Sequence, residues 1–233
     1  MEFSKKIHSK NERKGNHMAK LKKWIGNLKV SAKLQVYRMA VLVMTAFFVL
    51  VALVSTLVIR STIHSITEVW SPSLEYLQEL ETMTAKYRIK QYQHLVESDA
   101  AAMATCEKEN DNIESQIKDI SSKLEKIINS NKKAQQGKAD YEKATSAWEE
   151  YLSTSDEVYK LSRDNKQAEA AKIMIGSAYE SYMSFVKQLN TLHDDFQVEL
   201  DNAKTLANIC TIIIFIVIIV TGIAIAVVAT VIG

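Results

Sequence analysis

Between its two longest apolar runs the chain has almost nothing that turns a backbone. Residues 60–208 hold one proline, Pro72, and two glycines, Gly137 and Gly176. A sheet of that size needs many tight turns, which favour Gly, Pro, Asn and Asp. The scarcity excludes a β sandwich or barrel and leaves an all-α fold. Cysteine is equally scarce. Cys106 and Cys210 are the whole complement, too few for a disulfide scaffold or a Cys-rich zinc site. Their places in the pattern, one at the start of a middle helix and one at the head of the second apolar run, are too distant for the ~7 Å Cα limit of a disulfide. The histidines (8, 17, 64, 94 and 193) have no second His or Cys at ligand spacing, so no metal is expected. HExxH, phosphate-loop, GxGxxG, GxSxG and CxxC motifs are all missing. No catalysis and no cofactor are expected.

What is present begins with Met39–Ile59, which carries no charge and holds thirteen Val, Leu, Ile or Phe residues between Arg38 and Arg60. At ~1.5 Å per residue it spans roughly 32 Å as a helix, against a hydrocarbon core of about 30 Å. Each of the thirteen favours insertion by roughly 0.3–0.6 kcal/mol. A second uncharged run, Ile209–Ile232, is long enough to cross with some tilt. Two crossings put both ends on one side.

Charge assigns the side. Residues 1–38 hold eleven basic and two acidic residues, for a net of +9, whereas 60–208 carry a net of −7. The positive-inside rule keeps the arm 1–38 in the cytoplasm and 60–208 outside the cell. The overall charge of +2 hides this asymmetry and gives no reason to expect nucleic acid. The first run is longer than a signal-peptide core and has no convincing cleavage motif after it, so it reads as an uncleaved anchor. Residues 1–17 are polar and without period, a tail in composition. Glu12-Arg13-Lys14-Gly15 can be encoded by purine-rich codons resembling a ribosome-binding site, which makes Met18 a candidate start. Residues 19–38 interleave Trp24, Ile25, Leu28, Leu34 and Val36 with lysines, as an interfacial segment on anionic lipid does.

The stretch 60–208 is helical in period throughout. Helix one is expected over about 60–97, with apolar positions Ile63, Ile66, Trp70, Leu74, Leu77, Leu80 and Tyr87, kinked or broken near Ser71 by Pro72. Ser98-Asp99 caps helix two, about 100–129, whose seam is Ile113, Ile117, Ile120, Leu124 and Ile127. The polar stretch 130–137 is a loop. Helix three covers about 138–163, with Tyr141, Ala144, Trp148, Tyr151 or Leu152, Ser155 and Val158 inward. Arg163-Asp164-Asn165-Lys166 turns the chain. Helix four, about 167–208, repeats Ala171, Ile175, Ala178, Tyr182, Phe185, Leu189, Leu192 and Phe196, and runs on into the second apolar stretch at 209–232. Four such helices with short connections make an up-down antiparallel bundle flanked by the two spans.

Particular residues carry a resemblance. Arg88-Ile89-Lys90-Gln91-Tyr92-Gln93-His94-Leu95 with Ser98-Asp99 resembles the end of helix one in the four-helix-bundle sensor domain of bacterial methyl-accepting chemotaxis receptors. Ala147-Trp148-Glu149-Glu150-Tyr151-Leu152 with Ser155, Val158 and Leu161-Ser162-Arg163 resembles its third helix, and Glu169-Ala170-Ala171 with Gly176 the start of its fourth. Asn27-Leu28-Lys29-Val30-Ser31-Ala32-Lys33-Leu34 resembles the leader before the first span. The likeness covers about residues 20–233. It implies a homodimeric receptor in the cell membrane, joined through helix one. A small anionic ligand or a periplasmic-type binding protein would shift helix four against helix one. It also implies a HAMP connector and methylated helices beyond Gly233, so a truncated receptor is expected. The input half of a sensor histidine kinase or cyclase uses the same module. A membrane-anchored bundle serving only as a spacer is the non-sensory alternative.

The candidate ligand residues are Arg88, Lys90, Gln91 and His94. A carboxylate ligand needs charged donors, and Arg offers a two-pronged fork. The competing reading makes them a solvated helix face or partners of acids such as Glu97 and Asp99. Trp148, Tyr151, Tyr179 and Tyr182 read as core, with a Tyr beside the helix-one cations as the exception. Gly222 and Ala226 form a small-xxx-small pair suited to close helix approach in a bilayer.

Overall fold

The computed structural model describes residues 29–232. Residues 1–28 of the basic arm, including Met18 and half of the interfacial segment, lie outside the described residues. Every element among the described residues is helical: α1 (Val30–Ser65), a π-helical turn (Ile66–Trp70), α2 (Ser71–Val96), α3 (Ala100–Ser130), a 3-10 turn (Ala134–Gly137), α4 (Lys138–Arg163), α5 (Gln167–Ile175) and α6 (Ser177–Ile232). They fall into two compact units. One holds the described residues up to Val58 and from Ile209, and the other is Ile59–Asn208.

The first unit contains the two stretches long and apolar enough to cross a membrane. Leu42, Phe47, Leu50 and Leu57 in α1 each expose more than half their surface, as do Phe215, Ile219 and Ile223 in α6. Apolar faces of that extent suit lipid rather than water. An added Cβ at Gly222 meets nothing within 4 Å, so the close approach expected of the Gly222 and Ala226 pair is not made among the described residues.

The second unit is an antiparallel four-helix bundle, and its cross-links fix the directions. Lys90 pairs with Glu109, and the Asn110 side-chain amide donates to the Tyr87 carbonyl, so α3 runs against α2. The Tyr141 hydroxyl donates to Ser121 O and Arg163 donates to Glu107, so α4 runs against α3. Trp148 packs on Phe185 and Tyr151 on Tyr182, so α6 runs against α4. The core is a column of Leu77, Leu80, Ile117, Ile120, Leu124, Ile128, Val158, Leu189, Leu192 and Phe196. Each such side chain contributes about 1.5–3 kcal/mol by leaving water.

The turns are built from short polar side chains. Asp99 takes an extended backbone, and its carboxylate accepts from Ala102 N at 2.9 Å, the expected cap of α3. Asn165 adopts φ 59°, which Asn tolerates. Lys166 N then donates to Leu161 O and Asn165 N to Ser162 O, ending α4 in a Schellman motif.

Four expectations need correction. Pro72 does not break the helix at Ser71. It sits in the first turn of α2, and the irregularity expected at Ser71 is the π-helical turn Ile66–Trp70, closed by Ser71 N–H on Ile66 O. Proline lacks the N–H that would bond Glu68 O and its ring crowds that carbonyl, and a widened turn accommodates both. Ile63 is half exposed rather than inward. The polar stretch 130–137 is a loop only to Lys133, because its last turn dives into the core, where Ala134 and Gly137 are buried. Helix four is interrupted at Gly176, whose N–H bonds Lys172 O and Ile173 O. Before that break Ala170 and Met174 face inward, and Ile175 points out at 68% exposure. The inward row of α5 is therefore one residue earlier than Ala171 and Ile175.

Gly137 is a point of close approach. A Cβ there would run into Leu192 Cδ1 and lie 2.9 Å from Phe196 Cε1, and both side chains are fully buried. Gly137→Ala is expected to cost about 1–3 kcal/mol through overpacking, read as a lower urea midpoint. An unchanged midpoint would contradict this packing.

Candidate functional site

The upper half of the bundle core is polar. Arg88, Gln91 and His94 of α2 are buried, and with Thr84 they occupy the positions that Leu77 and Leu80 hold lower on the same helix. Arg88 Nη2 donates to Met174 O of α5 and to the Tyr92 hydroxyl, each at 3.0 Å. Its Cζ lies 5.0–5.8 Å from the ring centroids of Tyr92, Tyr151, Tyr179 and Tyr182. That cage of π faces suits a cation. Among the described residues no carboxylate pairs with Arg88. Its Nη1 is buried without a partner, and so is Gln91 Nε2. Gln91 Oε1 accepts from the Tyr151 hydroxyl.

One turn further on, His94 Nδ1 meets Ser162 Oγ and Nε2 meets Glu107 Oε1, both at 2.9 Å. The Ser162 hydroxyl also lies 3.2 Å from the His94 carbonyl, and Arg163 Nη1 donates to Glu107 at 2.6 Å. His94 stacks edge-on against Tyr159, whose hydroxyl accepts from Asn110 Nδ2. Asn110 Oδ1 is buried and unpartnered. Lys90 stands apart, on the surface, paired with Glu109 at 2.5 Å. That hydrogen bond raises its pKa above the ordinary lysine value.

The four residues singled out from the sequence thus divide. Arg88, Gln91 and His94 share one buried layer, and Lys90 does not belong to it. The solvated-face reading fails for those three, because the helix seam carries them inward. Pairing with acids holds for Lys90 and His94, but their partners are Glu109 and Glu107 and not Glu97 or Asp99. Glu97 Oε1 accepts from Ser98 N and Asp99 N, while Asp99 caps α3. An open groove of about 590 Å³ between α2 and α3 lies elsewhere, beside Glu75, Glu79, Lys86 and Asp119, and its acids do not suit an anion.

The sequence model of one family, described as a four helix bundle sensory module for signal transduction, matches residues 27–208. The chain belongs to this family. No curated protein matches it in a search of such proteins. The sensory module therefore takes in the first apolar helix as well as the bundle.

Several residues of the module's polar layer were not named as site candidates from the sequence: Asn110, Tyr159, Ser162, Glu107 and the Met174 carbonyl. For the side chains the signal was register. Asn110 lies seven residues before Ile117, on the same inward row of α3, where a polar residue in a core position asks for a partner. A main-chain acceptor such as Met174 O leaves no trace in sequence.

Burial also sets how the bundle answers to alkali. It pushes Tyr141 and Tyr159 up to about 12, and raises Tyr87, Tyr151 and Tyr182 as well. In the unfolded chain these phenols ionise near 10, so above that pH the unfolded state loses protons the folded state keeps. Stability is fully present below about pH 10 and falls as pH climbs through 12. Absorbance at 295 nm should show Tyr87, Tyr141, Tyr151 and Tyr159 staying protonated at pH 10.5 until the bundle unfolds. Those four phenols ionising near 10 in the folded protein would contradict the packing.

Proposed function

We propose that the chain is the sensory and membrane-spanning part of a bacterial chemoreceptor. The bundle 60–208 lies outside the cell, the basic arm lies in the cytoplasm, and two copies associate through α2. The observation that carries this reading is a signal-transduction sensory module that contains one helix long and apolar enough to cross a membrane and is followed by a second. A small anionic ligand, arriving alone or on a periplasmic-type binding protein, binds at the buried layer of Arg88, Gln91 and His94. It biases the position of the α5–α6 arm against α2, and it does so only by its differential affinity for the two arrangements. Lys90 is not needed for that site.

A thermal-shift screen of the full chain in lipid nanodiscs tests the sensory reading, using amino acids and organic acids. A ligand at a hundred times its Kd adds about 2.7 kcal/mol to the native state, a shift of several degrees. At least one acid of the panel should raise the midpoint. A flat response across the panel would favour a spacer without ligand.

A further inference from the structure

We propose that the Arg88 guanidinium receives the carboxylate of a small ligand with an apolar body, inside a single bundle, and that the ligand takes the guanidinium from Met174 O. This rests on the sensory reading above and names the ligand class and the first movement. The charge balance comes first. Arg88 is 9% exposed, and its polar partners are a hydroxyl and a main-chain carbonyl. A buried cation is normally paired with an anion. Here four tyrosine rings, a hydroxyl and one carbonyl stand in the anion's place.

The unfilled hydrogen bonds point the same way. Arg88 Nη1 and Gln91 Nε2 are both donors, both buried and both without an acceptor. They flank one side chain, because Gln91 Oε1 is held by the Tyr151 hydroxyl and the Tyr151 ring lies 5.8 Å from Arg88 Cζ. What is missing at this place is an acceptor with negative charge. Water supplies the acceptor alone, whereas a carboxylate supplies both and fits the planar fork of the guanidinium.

The ligand's remaining body is set by the way in. Tyr92 and Tyr179, the outer two rings of the cage, are 39% and 47% exposed. Beside them Ile89 and Val96 on α2, and Ile175 and Met183 on the α5–α6 arm, are exposed apolar side chains. A ligand entering between the two tyrosines slides its charged end to Arg88 and leaves its body against these groups. The class is a monocarboxylate with an aromatic or branched aliphatic body.

The movement follows from the shared donor. Nη2 bonds Met174 O, in the last turn of α5, two residues before the break at Gly176. A carboxylate seated on the fork competes for that edge of the guanidinium. Released, the last turn of α5 is held to α2 by one tie fewer, and the joint at Gly176 loosens.

The test uses the full chain in nanodiscs, titrated with benzoate and 3-methylbutanoate, with benzyl alcohol as the uncharged match. The two carboxylates should bind and raise the melting midpoint, and benzyl alcohol should bind at least tenfold more weakly. Arg88→Lys, which keeps the charge and loses the fork, should weaken binding at least tenfold. Lys86→Gln, an exposed change on the same helix, should leave it unchanged. Hydrogen exchange at Gly176 and Ile175 should quicken several-fold with benzoate bound. Benzyl alcohol binding as well as benzoate would overturn the proposal on the unaltered chain, whether or not the Arg88 variant folds. So would slowed or unchanged exchange at the joint with benzoate bound. If other acids of the panel bind while both probes do not, this proposal fails and the sensory reading stands. If no acid binds, both fail.

Discussion

Trp148→Ala is expected to lower the stability of the bundle by about 3–5 kcal/mol, the range for removing a buried large aromatic. Trp148 is 6% exposed at the centre of the unit Ile59–Asn208. Its ring stacks on Tyr151 at 5.1 Å, meets the edge of Tyr87 at 5.5 Å and lies 5.3 Å from Phe185. Those partners come from α4 itself, α2 and α6, so one side chain ties three helices. Each such aromatic contact adds about 0.5–1.5 kcal/mol beyond burial, and the sum is not additive because the rings share one cluster. Little room exists for collapse, since Ala144, Ala147 and Tyr151 beside it are already buried. The midpoint should fall by roughly 6–20 °C for a domain of this size. Trp148→Phe, which keeps the ring stack, should fall by much less. A loss below about 1 kcal/mol in urea melts followed at 222 nm would contradict a central place for this ring.

Leu50→Arg is expected to cripple insertion of the first span. Leu50 lies in the middle of Met39–Ile59 and is 60% exposed, so the change leaves buried packing untouched. An arginine at the centre of a span costs about 2.5–3.5 kcal/mol, and the lost leucine gives up roughly 0.5 more. The thirteen apolar residues together favour insertion by only several kcal/mol. A large share of the chain should then be removed from membranes by alkaline carbonate, while Leu50→Ala stays in the pellet. Equal retention of Leu50→Arg and the parent would show that α1 does not face lipid there.

The bundle was legible because its seams obey period. Ile117, Ile120 and Leu124 sit inward where the spacing of four and three placed them, and so do Tyr141, Ala144, Trp148, Ser155 and Val158. The polar layer was legible as a set of residues and not as a place. Thr84, Arg88, Gln91 and Leu95 continue the inward row of Leu77 and Leu80, but a charged side chain reads as surface by its type. Register against the neighbouring helices carries Arg88 inward, and the partner that holds it, a carbonyl of α5, is a main-chain group that has no letter. The break at Gly176 hid for a related reason. Rows through Ala171 and Ile175 and through Ala170 and Met174 both reach Ala178 at helical spacing, and the more apolar isoleucine drew the wrong choice. Only packing decides between them.

In the proposed topology an acidic sensory bundle stands outside the cell while the basic arm remains inside. Single cysteines in a Cys106→Ala, Cys210→Ala background test it, with Lys133→Cys in the bundle, where the side chain is exposed, and Ser9→Cys in the arm. A membrane-impermeant maleimide added to intact cells should label the site at 133 and reach the site at 9 only after lysis. Labelling at 9 on intact cells, with 133 protected until lysis, would contradict the account.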